Sequence, residues 1–215
     1  MKKMLFVLSL VLVCSAMSFA QNLKAIQLLK PQTNGGKPLM QVLNERKSSR
    51  VFNKKKLPLQ VLSNLLWAAF GVNRPVSGKT GKRTAPSACN WQEIDIYVAL
   101  AKGLYLYDAQ KHILKPVLAK DIRAAAGRQK FTKDAPVNLI FVANLAKMGK
   151  ADKKSKVFYT ATDTGFISQN VYLFCASEGL VTVVLGFVDK PALAKKMSLK
   201  ANQKIILTQP VGYPK

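Results

Sequence analysis

Arg46-Lys47-Ser48-Ser49-Arg50 brings together the residue types that a phosphate monoester needs. Two arginines four positions apart offer planar donor forks, Ser48 offers a hydroxyl, and a non-helical backbone leaves amides free to donate to the same oxygens. The same residues also make an ordinary exposed basic turn, so later segments must give the cluster its meaning. Those segments are Ala85-Pro86-Ser87-Ala88-Cys89-Asn90-Trp91-Gln92, Asp163-Thr164-Gly165-Phe166-Ile167-Ser168-Gln169-Asn170, Glu178-Gly179-Leu180 with Leu185-Gly186-Phe187, and Val211-Gly212-Tyr213-Pro214.

Other chemistries find less support. Gly78-Lys79-Thr80 looks like the end of a phosphate loop, but Asn73 stands where the loop needs its first glycine. The stretch also follows a helical pattern instead of joining a strand to a helix. His112, the only histidine, falls in a hairpin turn four residues after Asp108, with no serine or cysteine placed near it for a hydrolytic triad. Cys14, Cys89 and Cys175 share no CxxC spacing, which excludes zinc fingers, iron–sulfur clusters and a disulfide scaffold. No metal site is expected.

The elements that must position these residues are legible in the apolar spacing. Leu39, Val42 and Leu43 mark a short amphipathic helix, and Pro58 opens a helix through Leu62, Leu65, Leu66, Ala69 and Phe70 that Gly71 stops. The Gly-, Pro- and Lys-rich stretch 71–87 reads as a functional loop. Ile94–Leu100 alternates as a strand, Gly103–Asp108 and His112–Leu114 form the next hairpin, and Asp121–Gly127 reads as a short helix. Val137–Val142 is a buried strand. Lys153–Glu178 is the longest helix, closed by Gly179 and apolar around Phe166, Asn170 and Phe174. A short strand at Val181–Val184, a helix at Pro191–Met197 and a last strand at Ile205–Thr208 follow. This order predicts an α+β fold, with an antiparallel-rich central sheet flanked by helices. The last strand and its tail are short enough to complete a neighbouring subunit's sheet.

The chain has 215 residues, 49% hydrophobic and 20% charged, which fits one globular domain. Residues 1–20 read as a signal peptide: Lys2 and Lys3, then apolar Met4–Val13, then Ser18-Phe19-Ala20 before the cleavage site. Residues 21–38 read as a tether and 39–215 as the functional domain. The apolar run is short for a membrane span, and bulky Val13 before Cys14 speaks against lipid attachment. Periplasmic or secreted placement follows. Cleavage takes two lysines and no acid from the net charge of +24, leaving +22. Such a field attracts polyanions, but the lysines are scattered and no nucleic-acid motif accompanies them.

Taken in order, the Arg46–Phe52 segment and the four later ones resemble the flavin-dependent nitroreductase superfamily, over nearly the whole mature chain. Leu65–Gly71, the Pro-Ser loop and Gly103–Asp108 with His112 are most similar to the branch of the azoline dehydrogenases. The resemblance implies FMN at the interface of a homodimer built around the long central helix. Arg46, Lys47, Ser48 and Arg50 would hold the phosphate and ribityl chain, and Pro86, Ser87, Ala88 and Asn90 would close the site from the partner subunit. Leu185 and Gly186 would lie beside the isoalloxazine ring, Leu185 offering its backbone amide near N5, with Gln169 as a weaker member. No catalytic side chain is implied, because the flavin carries the chemistry.

Two departures from the family pattern matter. Only Lys215 follows Gly212-Tyr213-Pro214, where relatives carry a phosphate-binding basic residue several positions on. The lysine–tyrosine pair of a true azoline dehydrogenase finds no place among the motifs, which leaves the small-molecule substrate open. The expected function is an exported, FMN-dependent oxidoreductase. An exported enzyme has no supply of NAD(P)H, so poor NAD(P)H oxidation is expected. The alternatives are a non-catalytic flavin-binding protein and a basic, polyanion-binding surface protein.

Overall fold

The computed structural model describes residues 23–76 and 80–215; the segment 1–20, expected to be a signal peptide, and the Gly78-Lys79 pair lie outside them. In chain order the elements are β1 (Ile26–Gln27), α1 (Leu39–Glu45), α2 (Leu59–Phe70), β2 (Val72–Arg74), β3 (Lys82–Arg83), β4 (Ile94–Leu100) and β5 (Gly103–Asp108). Then come β6 (Ile113–Leu118), β7 (Val137–Asn144), α3 (Lys153–Ser177), β8 (Val181–Thr182), α4 (Lys190–Lys196) and β9 (Gln203–Gly212). Seven strands form one sheet in the order β1-β6-β5-β4-β7-β9-β8, and every pairing is antiparallel. The class is α+β, as the element order predicts.

Strand alternation explains why this sheet is covered twice. In β4, Ile94, Ile96 and Val98 share one core cluster while Tyr97 and Ala99 enter another. In β7, Leu139 and Phe141 divide from Ile140 and Val142 in the same way. One face takes Leu65, Leu66 and Phe70 of α2 with Ile167 and Val171 of α3, and the other takes Leu193 of α4 with Met197. Leu65 and Leu66 are fully buried, so truncating either to alanine costs about 2–5 kcal/mol.

The ends of α3 are fixed locally. The Asp152 carboxylate accepts from the amides of Lys154 at 2.8 Å and Ser155 at 3.0 Å. Gly179, at φ +66, lets the Leu180 amide donate back to the Cys175 carbonyl at 2.8 Å. No helix among the described residues is long and apolar enough to cross a membrane.

Several expectations change in detail. The last strand runs over ten residues, pairing along its length with β7 and, at its Val211–Gly212 end, with β8. The helix expected at Asp121–Gly127 is a single 3-10 turn at Arg123–Ala125, and the 71–87 loop contains the β2–β3 hairpin. The strand expected at Val181–Val184 is two residues, followed by a bridge between Leu185 and Thr208. The segment after residue 22 is more than a tether, because β1 pairs with β6 and Leu28 enters the core.

His112 secures that segment. Its turn has φ +51, yet its ring points inward, with Nε2 2.7 Å from Ser63 Oγ and Nδ1 3.0 Å from the Tyr107 hydroxyl. A serine partner that sequence spacing does not reveal is therefore present. Ser63 is fully buried, and its hydroxyl donates to the Leu29 carbonyl. Burial also lowers the imidazole's pKa, which favours a neutral ring bonded on both sides. This is a structural pin and not a hydrolytic pair.

Candidate functional site

The Arg46–Val51 segment leaves α1 as extended chain and is held at two points. The Ser49 amide donates to the Thr182 carbonyl at 3.0 Å, and Ser48 Oγ lies 2.8 Å from the Tyr172 hydroxyl on α3. The Tyr172 oxygen accepts from the Val184 amide at 2.9 Å, and the Arg46 guanidinium sits over its ring at 5.3 Å. With that amide on the tyrosine oxygen, the Tyr172 proton can donate to Ser48, which frees the Ser48 proton for an outside acceptor. Among the described residues, no carboxylate lies within ion-pair distance of Arg46, Lys47 or Arg50. Three uncompensated cations and a free hydroxyl donor suit a dianion.

The Pro86–Asn90 loop is built differently. Cys89, Asn90 and Gln92 all have φ near +50, a region costly for residues other than glycine. The strain is held by bonds from below. The Ala88 amide donates to Asp163 Oδ2 at 2.9 Å, the Gln92 amide to Ser87 Oγ at 2.8 Å, and Ser87 Oγ to Glu93 Oε2 at 3.3 Å. Gln92 adds bonds to the Gly81 carbonyl and Asn90 Oδ1 and accepts from Arg83 Nε. Glu93 and Asp163 are both buried, and Glu93 Oε1 has no partner. Burial, with the Asp163 charge beside it, pushes the Glu93 carboxyl up from 4.5 to about 7.

Leu185 and Gly186 lie beyond β8. The Leu185 amide donates to the Thr208 carbonyl at 2.8 Å and its carbonyl accepts from the Thr208 amide at 3.1 Å. The amide implied for flavin N5 is therefore spent on the bridge to β9, and Leu185 offers its side chain, packed with Phe52, Ala135 and Val183. Gly186 is exposed, and a Cβ there would meet only Leu207 Cδ2 at 3.8 Å, so nothing in the chain itself requires a glycine.

Gln169 is exposed on α3. The buried amide nearby is Gln209, whose Nε2 donates to the Ser168 carbonyl at 3.3 Å while its Oε1 has no partner. Gln209, Tyr172 and Glu93 are missed by sequence spacing, and Asp163 is seen only as part of a segment, because the register of β9, the rotation of α3 and burial ahead of β4 decide their places.

Two groups of candidates rest on α3. Tyr172 anchors the Arg46–Arg50 segment and Asp163 anchors the Pro86–Asn90 loop. Nine residues are two and a half turns, which puts the anchors on opposite flanks of the helix and roughly 14 Å apart along it. Beside them an apolar surface is exposed: Leu39, Met40 and Leu43 on α1 and Val157, Phe158 and Phe166 on α3. Among the described residues no bonded contact joins the two groups directly.

The Nitroreductase family profile matches residues 43–213, spanning both groups. A Methanocaldococcus jannaschii protein named "Putative nitroreductase" is 32% identical over 185 residues, covering 81% of this chain and 90% of that one. The crystal structure of a "putative nitroreductase" from Ralstonia eutropha JMP134 shares 43% identity, with a TM-score of 0.84 over 89% of this chain and 90% of that one. The NADPH:FMN oxidoreductase of Vibrio harveyi, solved with NAD+, shares the fold at 18% identity and a TM-score of 0.60, over 82% of this chain and 68% of that one. The chain belongs to the nitroreductase family, a family of flavin-dependent oxidoreductases.

Proposed function

We propose that this protein is an exported, homodimeric oxidoreductase that holds FMN between its subunits and exchanges a hydride with a small-molecule substrate. The observation that carries this reading is that Tyr172 and Asp163, on opposite flanks of α3, anchor the two groups of candidate flavin residues. A two-fold axis along the exposed Val157–Phe166 face would bring the Arg46–Arg50 segment of one copy to the Pro86–Asn90 loop of the other. The same axis would bury Met40 and Phe158, which one copy alone leaves open.

The residues present fit FMN. Arg46, Lys47 and Arg50 match a terminal phosphate dianion, Ser48 keeps a proton to donate, and Leu185 with Phe52 forms an apolar wall for a flat ring. Gly186 leaves room for close approach, and there is no Gly-x-Gly-x-x-Gly turn for a dinucleotide. When bound, FMN supplies two-electron hydride chemistry at N5. Arg46, Lys47 and Arg50 would hold the phosphate by charge, Leu185 would bear on the ring, and the strained Pro86–Asn90 loop of the partner subunit would shield it. Placement beside the azoline dehydrogenases rests on the Leu65–Gly71, Pro-Ser and Gly103–Asp108 motifs with His112. Export rests on residues 1–20, and a mature protein that begins at Gln21 on N-terminal sequencing is the matching outcome.

Chromatography of the flavin released from the purified protein tests the reading. FMN in about equal amount to subunits supports it. Release of FAD, or failure of the flavin-free protein to take up added FMN, overturns it.

A further inference from the structure

A cavity of about 680 Å3 lies at the end of β4 away from the Pro86–Asn90 loop, bounded by the first turn of α2, the β4–β5 turn and the approach to β7. None of the flavin candidates lines it, and neither do the exposed residues of α1 and α3. Leu57, Leu59, Leu62, Leu100 and Val137 make its apolar wall, with Leu62 and Val137 continuous with the core. The lining contains no aromatic ring, hydroxyl or amide side chain.

The cavity is also ringed by cations, and their pairing is unequal. Lys54 is 3.5 Å from Asp134, and Arg123 is held by Asp121 at 2.8 Å. Lys56, Lys102 and Lys133 have no carboxylate within ion-pair distance among the described residues. An aliphatic wall rewards a hydrocarbon chain through area removed from water and offers a sugar or base nothing to bond. Three ammonium groups without an ion-pair partner, Lys102 among them lying over the Tyr105 ring at 5.7 Å, reward one anionic head and oppose a cationic one.

We propose that this cavity binds a medium-chain fatty-acid anion, with the alkyl chain along Leu59, Leu62 and Leu100 and the carboxylate among Lys56, Lys102 and Lys133. The occupant is amphipathic because neither half of the site suffices alone. A plain anion would leave the leucines wet, and a plain alkane would leave the lysines without a partner.

Calorimetric titration of the purified protein at physiological salt tests this with decanoate, 1-decanol and acetate as probes. One decanoate per subunit binds in the micromolar range, 1-decanol binds about tenfold more weakly or worse, and acetate gives no saturable heat. Lys102→Glu combined with Lys133→Glu weakens decanoate about tenfold or more, and Leu59→Trp, which fills the mouth, does the same. The flavin absorbance stays unchanged in both variants. Decanoate binding only at millimolar concentration, equal binding of acetate, or unaltered binding by the two variants overturns the proposal. Displacement of bound flavin by decanoate also overturns it, because the cavity would then belong to the flavin site.

Discussion

The two groups that α3 anchors hold their shape by opposite means. The Arg46–Arg50 segment is extended, solvent-facing and unstrained, and three cations with no acidic partner dominate it. The Pro86–Asn90 loop carries little charge, adopts positive φ at Cys89 and Asn90, and rests on two buried acids. The first group can lose a side chain without losing its fold, whereas the second stores in its backbone what the first displays in its side chains. Binding strength should therefore be separable from stability on one side and inseparable on the other.

The sharpest break is the double variant Arg46→Ala with Arg50→Ala. Each removes a charge-assisted phosphate contact of about 1.5–3 kcal/mol, so FMN affinity should fall about a hundredfold or more. Neither arginine has a carboxylate partner to strand, so the thermal midpoint of the flavin-free protein should stay within about 2 °C of the parent. Flavin titration and calorimetry read the two effects separately. Unchanged flavin affinity would reduce the cluster to a basic turn.

Asp163→Ala should show the opposite coupling. It leaves the Ala88 amide without its acceptor beneath a strained loop, at a cost of about 2–3 kcal/mol in the flavin-free protein. Flavin binding should weaken together with stability. A variant as stable as the parent would show that the loop holds its positive φ angles without α3.

The two groups should also differ in their response to pH. Glu93 has its carboxyl raised from 4.5 to about 7, so between those values the folded protein keeps a proton that the unfolded chain has lost. The stability this proton contributes is present at low pH and is lost as pH climbs to about 7, with a plateau above. Deprotonated Glu93 faces the Asp163 carboxylate. The two cations that reach the adjacent Gln92 are engaged elsewhere: Lys147 bonds Asp95 and the Gln92 carbonyl, and Arg83 bonds Gln92 Oε1 and the Phe70 carbonyl. FMN affinity should accordingly decline as pH rises through about 7 and level off above it, while Glu93→Gln should bind with a flat profile between pH 6 and 8. The arginines stay charged throughout that range and add no slope of their own. A parent profile as flat as the variant's would remove Glu93 from the account.

This contrast also governs what the sequence makes legible. Arg46, Lys47, Ser48 and Arg50 stand out because charge and hydroxyl type carry the role proposed for them within five residues. Strand alternation in Ile94–Leu100 and Val137–Val142 likewise reveals the sheet, since period two is local. Asp163 under Ala88, 75 residues away, is not local, and neither is Ser63 beside His112. The ten-residue length of β9 and its place between β7 and β8 depend on partners elsewhere in the chain, which the run Ile205–Thr208 cannot announce. The Leu185 amide shows the same limit: the sequence marks the residue, but the bridge to Thr208 decides what its amide can donate to.

Tyr172→Phe has the smallest expected effect and addresses the link between the groups most directly. The substitution keeps the ring under Arg46 and removes only the oxygen that takes the Val184 amide and faces Ser48. If the tyrosine serves mainly to orient Ser48, the variant should lose less than about tenfold in FMN affinity, and stability should drop by about 1–2 kcal/mol for the stranded Val184 amide. Adding Ser48→Ala to Tyr172→Phe should then cost little more affinity than Tyr172→Phe alone, because the two residues act on the phosphate through one hydroxyl. Fully additive losses would show that Ser48 reaches the phosphate without help from α3, which would make the Arg46–Arg50 segment independent of the helix that positions the Pro86–Asn90 loop.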